Sequence, residues 1–322
     1  MRSEKEPASL SAILVHGAAG FVGSSLIPML VANTTAPLIL TDKRPVDTSD
    51  IEAFRERIET SQTDSLANLP DREVDVAIVL AGETNVDEAL ADPRRAFETN
   101  IAIAVDAAEW LRRNPRSRLV YMSSDEVLGE SFAPLGESEP ARPTQPYAAS
   151  KACAETILGC YRDTYGLDLV IMRSCNLVGG RQRAQKLIPV AVSSLLGGDP
   201  VPVFGSGEQV REWMAVEDLC AALMLAVHRE LPVGVYQATS GVQLSVLQVI
   251  DLIASVLGLP PKLTYVADRI VEDRSYAMDS STLQGFGWKP ESRVAAAIET
   301  AAMALSDAFR YGERLAPNTG TH

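Results

Sequence analysis

A tyrosine and a lysine four residues apart, Tyr147 and Lys151, are the first side chains in this sequence that could do chemistry together. On a helix, residues at this spacing lie on one face, so both side chains can reach the same substrate hydroxyl. The lysine ammonium group stabilises a phenolate, which moves the pKa of the tyrosine from about 10 toward neutrality. Tyr147 could then act as a base. The same spacing also occurs by chance in surface pairs, so its interpretation depends on the elements around it.

Two adjacent carboxylates, Asp125 and Glu126, follow Ser123 and Ser124 at the end of an apolar run, Leu119–Met122. In open α/β sheets, ligands bind at the carboxyl ends of the strands. If one carboxyl group stays protonated while the other is ionised, the pair supplies a general acid and a general base. A solvated acidic turn is the alternative interpretation.

A glycine-rich segment near the N-terminus, with Gly17, Gly20 and Gly23, predicts a dinucleotide site. Glycines at this spacing, between a strand and a helix, permit a tight turn and close approach of the backbone to pyrophosphate. Asp42 ends the next strand, where it can accept hydrogen bonds from the adenosine ribose and repel a 2′-phosphate. This favours NAD over NADP, although the two basic residues after Asp42 weaken the preference. The nicotinamide cation of a bound NAD would add to the effect of the lysine on the tyrosine.

Apolar runs alternate with segments of helical periodicity through the first half of the chain. The predicted strands cover Ala12–Val15, Pro37–Leu40, Val76–Leu80, Arg118–Met122 and Leu169–Arg173. The predicted helices begin near Phe21 and cover Pro93–Arg113 and Tyr147–Tyr165. This order indicates the α/β class, with a doubly wound parallel sheet of the Rossmann type. From about Asn176 the order loosens into mixed helices, turns and short strands such as Val201–Phe204, which predicts a second, smaller mixed α/β domain for the substrate.

Composition argues against several kinds of partner. The formal net charge of -13 and the lack of a Lys/Arg cluster argue against nucleic acid. The longest apolar run, Leu219–Val227, is too short to span a bilayer, and the first residues lack the apolar run of a signal peptide. We therefore expect a cytoplasmic protein without a membrane partner. The four cysteines form no CxxC pair and the three histidines are scattered, so we expect reduced, mostly buried thiols and no metal site.

These residues resemble the extended short-chain dehydrogenase/reductases, and within them the nucleoside-diphosphate-sugar 4,6-dehydratases. The shared motifs cover nearly the whole chain: GAAGFVG, LAGETNVDEAL, SSDEV, PYAASK, KLIP, FGSGEQVREWMAVED, YAMD and GWKP. The Ser-Asp-Glu triplet distinguishes the dehydratases from most sugar epimerases and decarboxylases. The segment from Asp268 to Tyr276 departs from the family, because it lacks a glycine, a histidine and one arginine expected beside the nucleotide.

The resemblance implies NAD-dependent conversion of a nucleoside-diphosphate hexose, a dTDP- or UDP-hexose, to its 4-keto-6-deoxy form. Ser124 and Tyr147 would bracket O4 of the sugar, and Lys151 would hold the nicotinamide ribose. Asp125 and Glu126 would act at C6 and C5. The cofactor would contact Gly17, Gly20, Phe21, Val22, Gly23, Asp42, Lys43, Leu80, Ala81, Gly82, Thr84, Asn100, Tyr147 and Lys151. The substrate would contact Thr84, Ser124, Asn176, Lys186, Leu187, Arg211 and Tyr276.

The same resemblance implies a division of the chain and an oligomeric state. We expect a NAD-binding Rossmann domain over residues 1–175 and about 212–238, and a substrate domain over 176–211 and 239–322. The related enzymes are commonly homodimers joined through two long helices, here Pro93–Arg113 and Tyr147–Tyr165. The apolar residues Ile101, Val105 and Trp110 fit an interface and a core equally well.

Three alternatives to 4,6-dehydration stay open. A nucleotide-sugar 4-epimerase shares the fold, the NAD and the Tyr/Lys pair, but needs no acid and base acting at C5 and C6. A 5,6-dehydratase is a second related sugar-nucleotide reaction. A non-enzymatic NAD-binding regulator would tolerate loss of Tyr147 or Lys151, and both are present.

Overall fold

The protein is described by a computed structural model over residues 10–69, 73–271 and 273–310. The strands are β1 Ile13–His16, β2 Leu38–Asp42, β3 Ile58–Gln62, β4 Val76–Val79, β5 Arg118–Ser124, β6 Leu169–Ser174, β7 Asn176–Val178, β8 Val201–Phe204, β9 Val210–Ala215, β10 Gly234–Ala238, β11 Val242–Ser245 and β12 Leu263–Val266. The α-helices are α1 Phe21–Asn33, α2 Val86–Ala91, α3 Pro93–Arg113, α4 Pro146–Tyr165, α5 Leu187–Gly197, α6 Val216–Val227, α7 Val246–Leu257, α8 Ser281–Gly285 and α9 Val294–Arg310. Shorter 3₁₀ segments cover Ser49–Arg57, Leu66–Asn68 and Asp125–Leu128.

The first compact unit comprises residues 10–69, 73–127, 145–173 and 220–236, and it is built on a seven-stranded sheet. The strand order is β10-β6-β5-β4-β1-β2-β3, and the four pairs among β1 to β5 are parallel. The order reverses between β1 and β4, and such a reversal opens a crevice at the carboxyl ends of the strands. This topology confirms the predicted doubly wound Rossmann fold.

The core of this unit is formed by the apolar strands of the sheet and by residues of helices α3 and α4. Every residue of β1, β2, β4 and β5 is buried, as expected for strands covered on both faces. Helix α3 begins where the sequence predicts, because Pro93 occupies its first turn and the Asp92 carboxylate accepts a hydrogen bond from Arg95 N at 3.1 Å. Trp110 packs into the core beside Leu158 of α4, so this apolar residue belongs to the interior.

Strand β3 is an element that the sequence did not predict. Its sequence, Ile-Glu-Thr-Ser-Gln, has no apolar run, and all of its residues after Ile58 are exposed. The strand forms because its backbone pairs in parallel with β2, from Leu38 opposite Ile58 to Asp42 opposite Gln62. An edge strand held by backbone pairing leaves no hydrophobic signal in the sequence.

The second compact unit comprises residues 128–144, 174–219, 237–271 and 273–310. It contains two small sheets, β11-β9-β7 and β12-β8, and an apolar core shared by α5, α7 and α9. The segment 128–144 joins this unit through Ser131 N, which donates to Ser275 O at 3.0 Å, and Leu135 N, which donates to Ala277 O at 3.1 Å. The domain division predicted from the sequence assigns residues 128–144 to the NAD-binding domain instead. The cofactor and substrate roles of the two parts stay predictions.

Within the described ranges, no helix is long and apolar enough to cross a membrane. The same residues contain no group of three His, Cys, Asp or Glu side chains arranged to hold a metal ion. His16 is buried with Nδ1 2.9 Å from Thr41 Oγ1, and burial lowers the pKa of its ring despite the nearby charge of Asp42. All four cysteines lie in the described part of the chain and form no disulfide. Cys153 and Cys160 are exposed, so the expectation of mostly buried thiols is met only by Cys175 and Cys220.

Candidate active site

The turn between β1 and α1 is packed so closely that two of its glycines leave no room for a side chain. Gly17 has a φ of 91°, and a Cβ built on it would lie 2.5 Å from Ala81 N. A Cβ on Gly23 would lie 2.5 Å from Ala18 O. Gly20, at the start of α1, offers no side-chain cap, so the backbone N–H groups of the first turn, which includes Phe21 and Val22, are available to an anion. This cradle fits the pyrophosphate of a dinucleotide.

Asp42, at the end of β2, is buried and held in a fixed orientation beside this turn. Its Oδ2 accepts a hydrogen bond from Ala19 N at 3.1 Å, and its Oδ1 accepts one from Arg44 N at 2.9 Å. The Arg44 guanidinium group donates to Ala19 O at 2.6 Å, and Lys43 is exposed. A carboxylate has about four acceptor positions, so two remain for the hydroxyls of a ribose. The residues of the first unit therefore fit NAD.

Asn100 joins the loop after β4 to helix α4. Its side chain is fully buried, its Oδ1 accepts from Glu83 N at 2.9 Å, and its Nδ2 donates to Glu83 O at 3.2 Å and Ser150 Oγ at 2.7 Å. A Cβ on Gly82 would lie 3.0 Å from Asn100 Oδ1 and 3.2 Å from Lys151 Nζ. The structure thus brings together three of the residues predicted to hold the cofactor, namely Gly82, Asn100 and Lys151.

The rest of this loop completes the wall beside β1. Leu80 N and Ala81 N both donate to His16 O, at 2.8 Å and 3.1 Å. Thr84 N donates to the Glu83 carboxylate at 2.9 Å, which holds the loop in a tight turn. The loop residues predicted for the cofactor, Leu80, Ala81, Gly82 and Thr84, therefore lie on one well-defined stretch of backbone.

The carboxylates and Tyr147 meet at the carboxyl end of β5. Ser124 Oγ donates to Asp125 Oδ1 at 3.0 Å, and the same carboxylate oxygen accepts from Glu126 N at 3.0 Å. Ser124 also shares a side-chain hydrogen bond with Tyr147. Ser124, Asp125, Tyr147 and Lys151 are all buried, and Glu126 is half-buried. An acidic turn in solvent would not bury Asp125, so the alternative interpretation of this segment as a solvated turn is wrong.

A residue that the sequence did not single out, Gln145, connects the acidic turn to the start of α4. Its Oε1 accepts from Tyr147 N at 2.7 Å, which caps α4, and its Nε2 donates to Glu126 Oε2. Gln145 is buried. Its position just before Pro146 marks the start of a helix, and this was the one signal in the sequence that could have identified Gln145 as a helix cap.

The surroundings of Tyr147 shift its pKa in the direction opposite to the one that the spacing predicted. Burial raises the pKa of the phenol, the charges of Glu126 and Asp125 raise it further, and the hydrogen bond with Ser124 opposes them. Burial lowers the pKa of Lys151 to about 8, so the lysine is also less readily charged than the prediction assumed. The prediction for Tyr147 considered only the attraction between its phenolate and nearby cations. It left out the free-energy cost of moving the charged forms of Tyr147 and Lys151 from water into the protein interior.

The second unit holds the remaining predicted substrate residues, and it brings two of them into contact. The Arg211 guanidinium carbon lies 4.9 Å from the centre of the Tyr276 ring, a cation–π distance. The Tyr276 hydroxyl donates to the buried Asp273 carboxylate, which also accepts from Thr144 Oγ1. The other three lie at two places: Asn176 begins β7, and the adjacent residues Lys186 and Leu187 are the N-cap and the first residue of α5.

Comparisons with known proteins agree with this geometry. The chain is 32% identical over 290 residues to the low-salt glycan biosynthesis protein Agl12 of Haloferax volcanii, with 87% of this chain and 93% of the relative covered. It is 30% identical over 298 residues to a dTDP-glucose 4,6-dehydratase of an Actinoplanes species, covering 86% and 92%. The crystal structure of the Streptomyces venezuelae dTDP-glucose 4,6-dehydratase DesIV with bound NAD superposes with a TM-score of 0.89 at 28% identity, covering 94% and 99%.

The match to a protein family rests on the part of the chain that carries the glycine turn, the acidic triplet and the Tyr/Lys pair. Residues 13–238 match the family described as NAD dependent epimerase/dehydratase. The matched range contains every residue of the first unit discussed above. This chain therefore belongs to the NAD dependent epimerase/dehydratase family, within the extended short-chain dehydrogenase/reductases.

Proposed function

We propose that this protein removes water from a nucleoside-diphosphate hexose, with dTDP-glucose as the first candidate, to give the 4-keto-6-deoxy sugar. The observation that carries the proposal is the position of Asp125 and Glu126. Both carboxylates lie close enough to the Tyr147 hydroxyl for their charges to act on it. Oxidation at C4 needs Tyr147 but neither carboxylate, whereas elimination across C5 and C6 needs an acid and a base beside the oxidised carbon.

The residues of the first unit would hold NAD in the cradle of Gly17, Gly23 and Asp42, with Gly82 and Lys151 at the nicotinamide end. When bound, NAD would supply the hydride acceptor for C4 of the sugar and, once reduced, the hydride donor for C6. Tyr147 removes the O4 proton as the C4 hydride departs, and Ser124 and Tyr147 together bracket this oxygen. The cation of a bound nicotinamide opposes the effects of burial and of the two carboxylates on the phenol.

The elimination then needs two proton transfers, and one carboxyl group serves each. The new ketone at C4 acidifies the neighbouring C–H bond, and Glu126 removes the proton from C5. Asp125 donates a proton to the C6 hydroxyl, which leaves as water. After hydride return to C6, Glu126 gives a proton back to C5, and Tyr147 and Asp125 regain their starting protonation states when the product is released. Arg211 offers the forked donors that suit a diphosphate.

The nearest alternative is a 4-epimerase. The family includes both reaction types by its name, but epimerisation would leave Asp125 and Glu126 without a part in the reaction. A 5,6-dehydratase would use the carboxylates and yield a 5,6-alkene with no ketone at C4.

The deciding experiment is mass spectrometry and NMR of the purified protein incubated with a panel of dTDP- and UDP-hexoses in deuterated water. We expect loss of water, a ketone at C4 and solvent deuterium at C5. An unchanged mass with an inverted C4 hydroxyl would assign epimerisation, and a dehydrated product without a C4 ketone would assign 5,6-elimination.

We also propose that the protein is a cytoplasmic homodimer joined through the outward faces of α3 and α4. The support is the family resemblance and the half-buried apolar residues Ile101 and Val105 on α3. Trp110, the third candidate interface residue, is buried in the core of the subunit and is excluded from the interface. Light scattering after gel filtration should give twice the mass of one chain, and a single-chain mass would contradict the dimer.

A further inference from the structure

We propose that Gln145 is a positioning residue that holds the carboxylate of Glu126 in place for the elimination. One side chain makes two hydrogen bonds, from Tyr147 N to its Oε1 at 2.7 Å and from its Nε2 to Glu126 Oε2. Glu126 and Gln145 are 19 residues apart in the chain, so the contact is a tertiary one. This inference rests on the proposed dehydratase function.

The orientation of the Gln145 amide follows from chemistry alone. A backbone N–H can only donate, so the amide atom that faces Tyr147 N has to be the oxygen. The amide nitrogen therefore faces Glu126, and its hydrogens can only be accepted by a carboxylate oxygen. Capping the helix and holding the carboxylate are fixed together, because flipping the amide would break both hydrogen bonds at once.

The contact with Gln145 acts on the Glu126 side chain, whereas other hydrogen bonds hold the Glu126 backbone. The Glu126 N–H donates to Asp125 Oδ1 at 3.0 Å and to Ser124 Oγ at 3.3 Å, which holds the main chain of the turn. The side chain beyond it has three rotatable bonds and is half-buried. The Gln145 side chain is buried, so it holds the Glu126 carboxylate at one position. The Gln145 amide thus fixes the positions of both the Tyr147 backbone and the Glu126 carboxylate.

The two bonds of Gln145 can be separated by substitution. Gln145→Ser keeps a hydroxyl that caps the helix, since serine is a preferred N-cap residue, but it is too short to reach Glu126. Gln145→Glu keeps the acceptor for Tyr147 N and replaces the donor to Glu126 with a like charge. Gln145→Ala removes both hydrogen bonds. The difference in activity between Gln145→Ala and the other two variants therefore measures the effect of losing the helix cap.

We expect Gln145→Ser and Gln145→Glu to retain hydride transfer from C4 and to eliminate water roughly 10- to 100-fold more slowly, as for a misplaced reacting group. Reduced cofactor should therefore accumulate during turnover, detected by its near-ultraviolet absorbance. The acid limb of the pH–rate profile for elimination should move to higher pH in both variants, because loss of a donor or gain of a like charge disfavours the carboxylate.

Four outcomes would overturn the inference. If only Gln145→Ala is impaired, the residue acts as a helix cap alone. If hydride transfer and elimination fall in equal proportion in Gln145→Ser, the effect is structural. If the native protein dehydrates none of the nucleotide hexoses, both the proposed function and this inference are wrong. If the native protein is a dehydratase but the Gln145 variants eliminate water at the native rate, only this inference is wrong.

Discussion

Lys151 Nζ donates a hydrogen bond to the backbone carbonyl oxygen of Met122 at 2.9 Å, at the carboxyl end of β5. The nitrogen also lies 4.9 Å from the centre of the Tyr121 ring. Both the carbonyl and the aromatic face favour a cation, yet burial is the larger effect and lowers the pKa of the lysine. The strand end that presents the acidic residues therefore also fixes the lysine.

The lowered pKa of Lys151 predicts a pH dependence of stability. The folded protein releases this proton near pH 8, and the unfolded chain releases it near 10.5. Between these values the unfolded state binds more protons, so the free energy of unfolding rises with pH. Thermal unfolding of the native protein and of Lys151→Met should show this rise in the native protein alone. The control Lys262→Met, at an exposed lysine, should behave like the native protein, and parallel profiles for native and Lys151→Met would contradict the prediction.

Tyr147→Phe should strongly slow oxidation at C4 and leave the fold intact, because only a hydroxyl is lost. We expect turnover to fall by about 10²–10⁴-fold, the usual contribution of a general base. Tyr161→Phe is the matched control on the same helix, since the Tyr161 hydroxyl contacts Glu109. Product formation measured by mass spectrometry should be normal in the control, and normal turnover of Tyr147→Phe would remove the residue from the mechanism.

Glu126→Gln keeps the size of the side chain but cannot take a proton. Dehydration should fall by about 10²–10⁴-fold, while hydride transfer from C4 continues because it needs Tyr147. Reduced cofactor should accumulate on the enzyme. Glu98→Gln, at an exposed position of α3, serves as the control. An epimerase would give the opposite result, with normal turnover of Glu126→Gln and no solvent deuterium at C5 of the product.

Asp42→Ala should weaken the retention of NAD. Each hydrogen bond to a charged acceptor contributes about 1.5–3 kcal/mol, so loss of the ribose contacts should weaken binding by at least about 10-fold. The protein should purify with NAD, identified by mass spectrometry after denaturation. Asp163→Ala, at an exposed aspartate paired with its neighbour Arg162, should retain NAD normally. NADP as the cofactor found in the native protein would refute the role of Asp42.

Gly17→Ala should destabilise the first unit, because the φ of 91° and the 2.5 Å approach to Ala81 N both exclude a Cβ. Backbone strain of this kind costs about 1–3 kcal/mol. Gly285→Ala, at the end of α8, is the control, since a Cβ there meets nothing within 4 Å and the variant should be no less stable than the native protein. Urea unfolding of both variants measures the difference, and equal free energies of unfolding would show that the turn relaxes.

The sequence predicted the buried parts of the Rossmann fold well because hydrophobic periodicity and helix-start signals are local. Helix α3 has the predicted bounds, Pro93–Arg113, and β8 has the predicted bounds, Val201–Phe204. Strand β3 escaped prediction because only its backbone pairs. The contact of Gln145 with Glu126 and the raised pKa of Tyr147 escaped it because both depend on tertiary burial, which motif spacing does not report.

The hydrogen bonds of Asn100 limit how the chain can be redesigned. Its amide uses one acceptor and both donor hydrogens on partners from two separate elements. Aspartate lacks the donors and glutamine is one carbon longer, so no other standard side chain reproduces the three contacts at this depth. Position 100 has to be left out of any library of variants, since every alternative there leaves buried polar groups without partners where the loop after β4 meets α4.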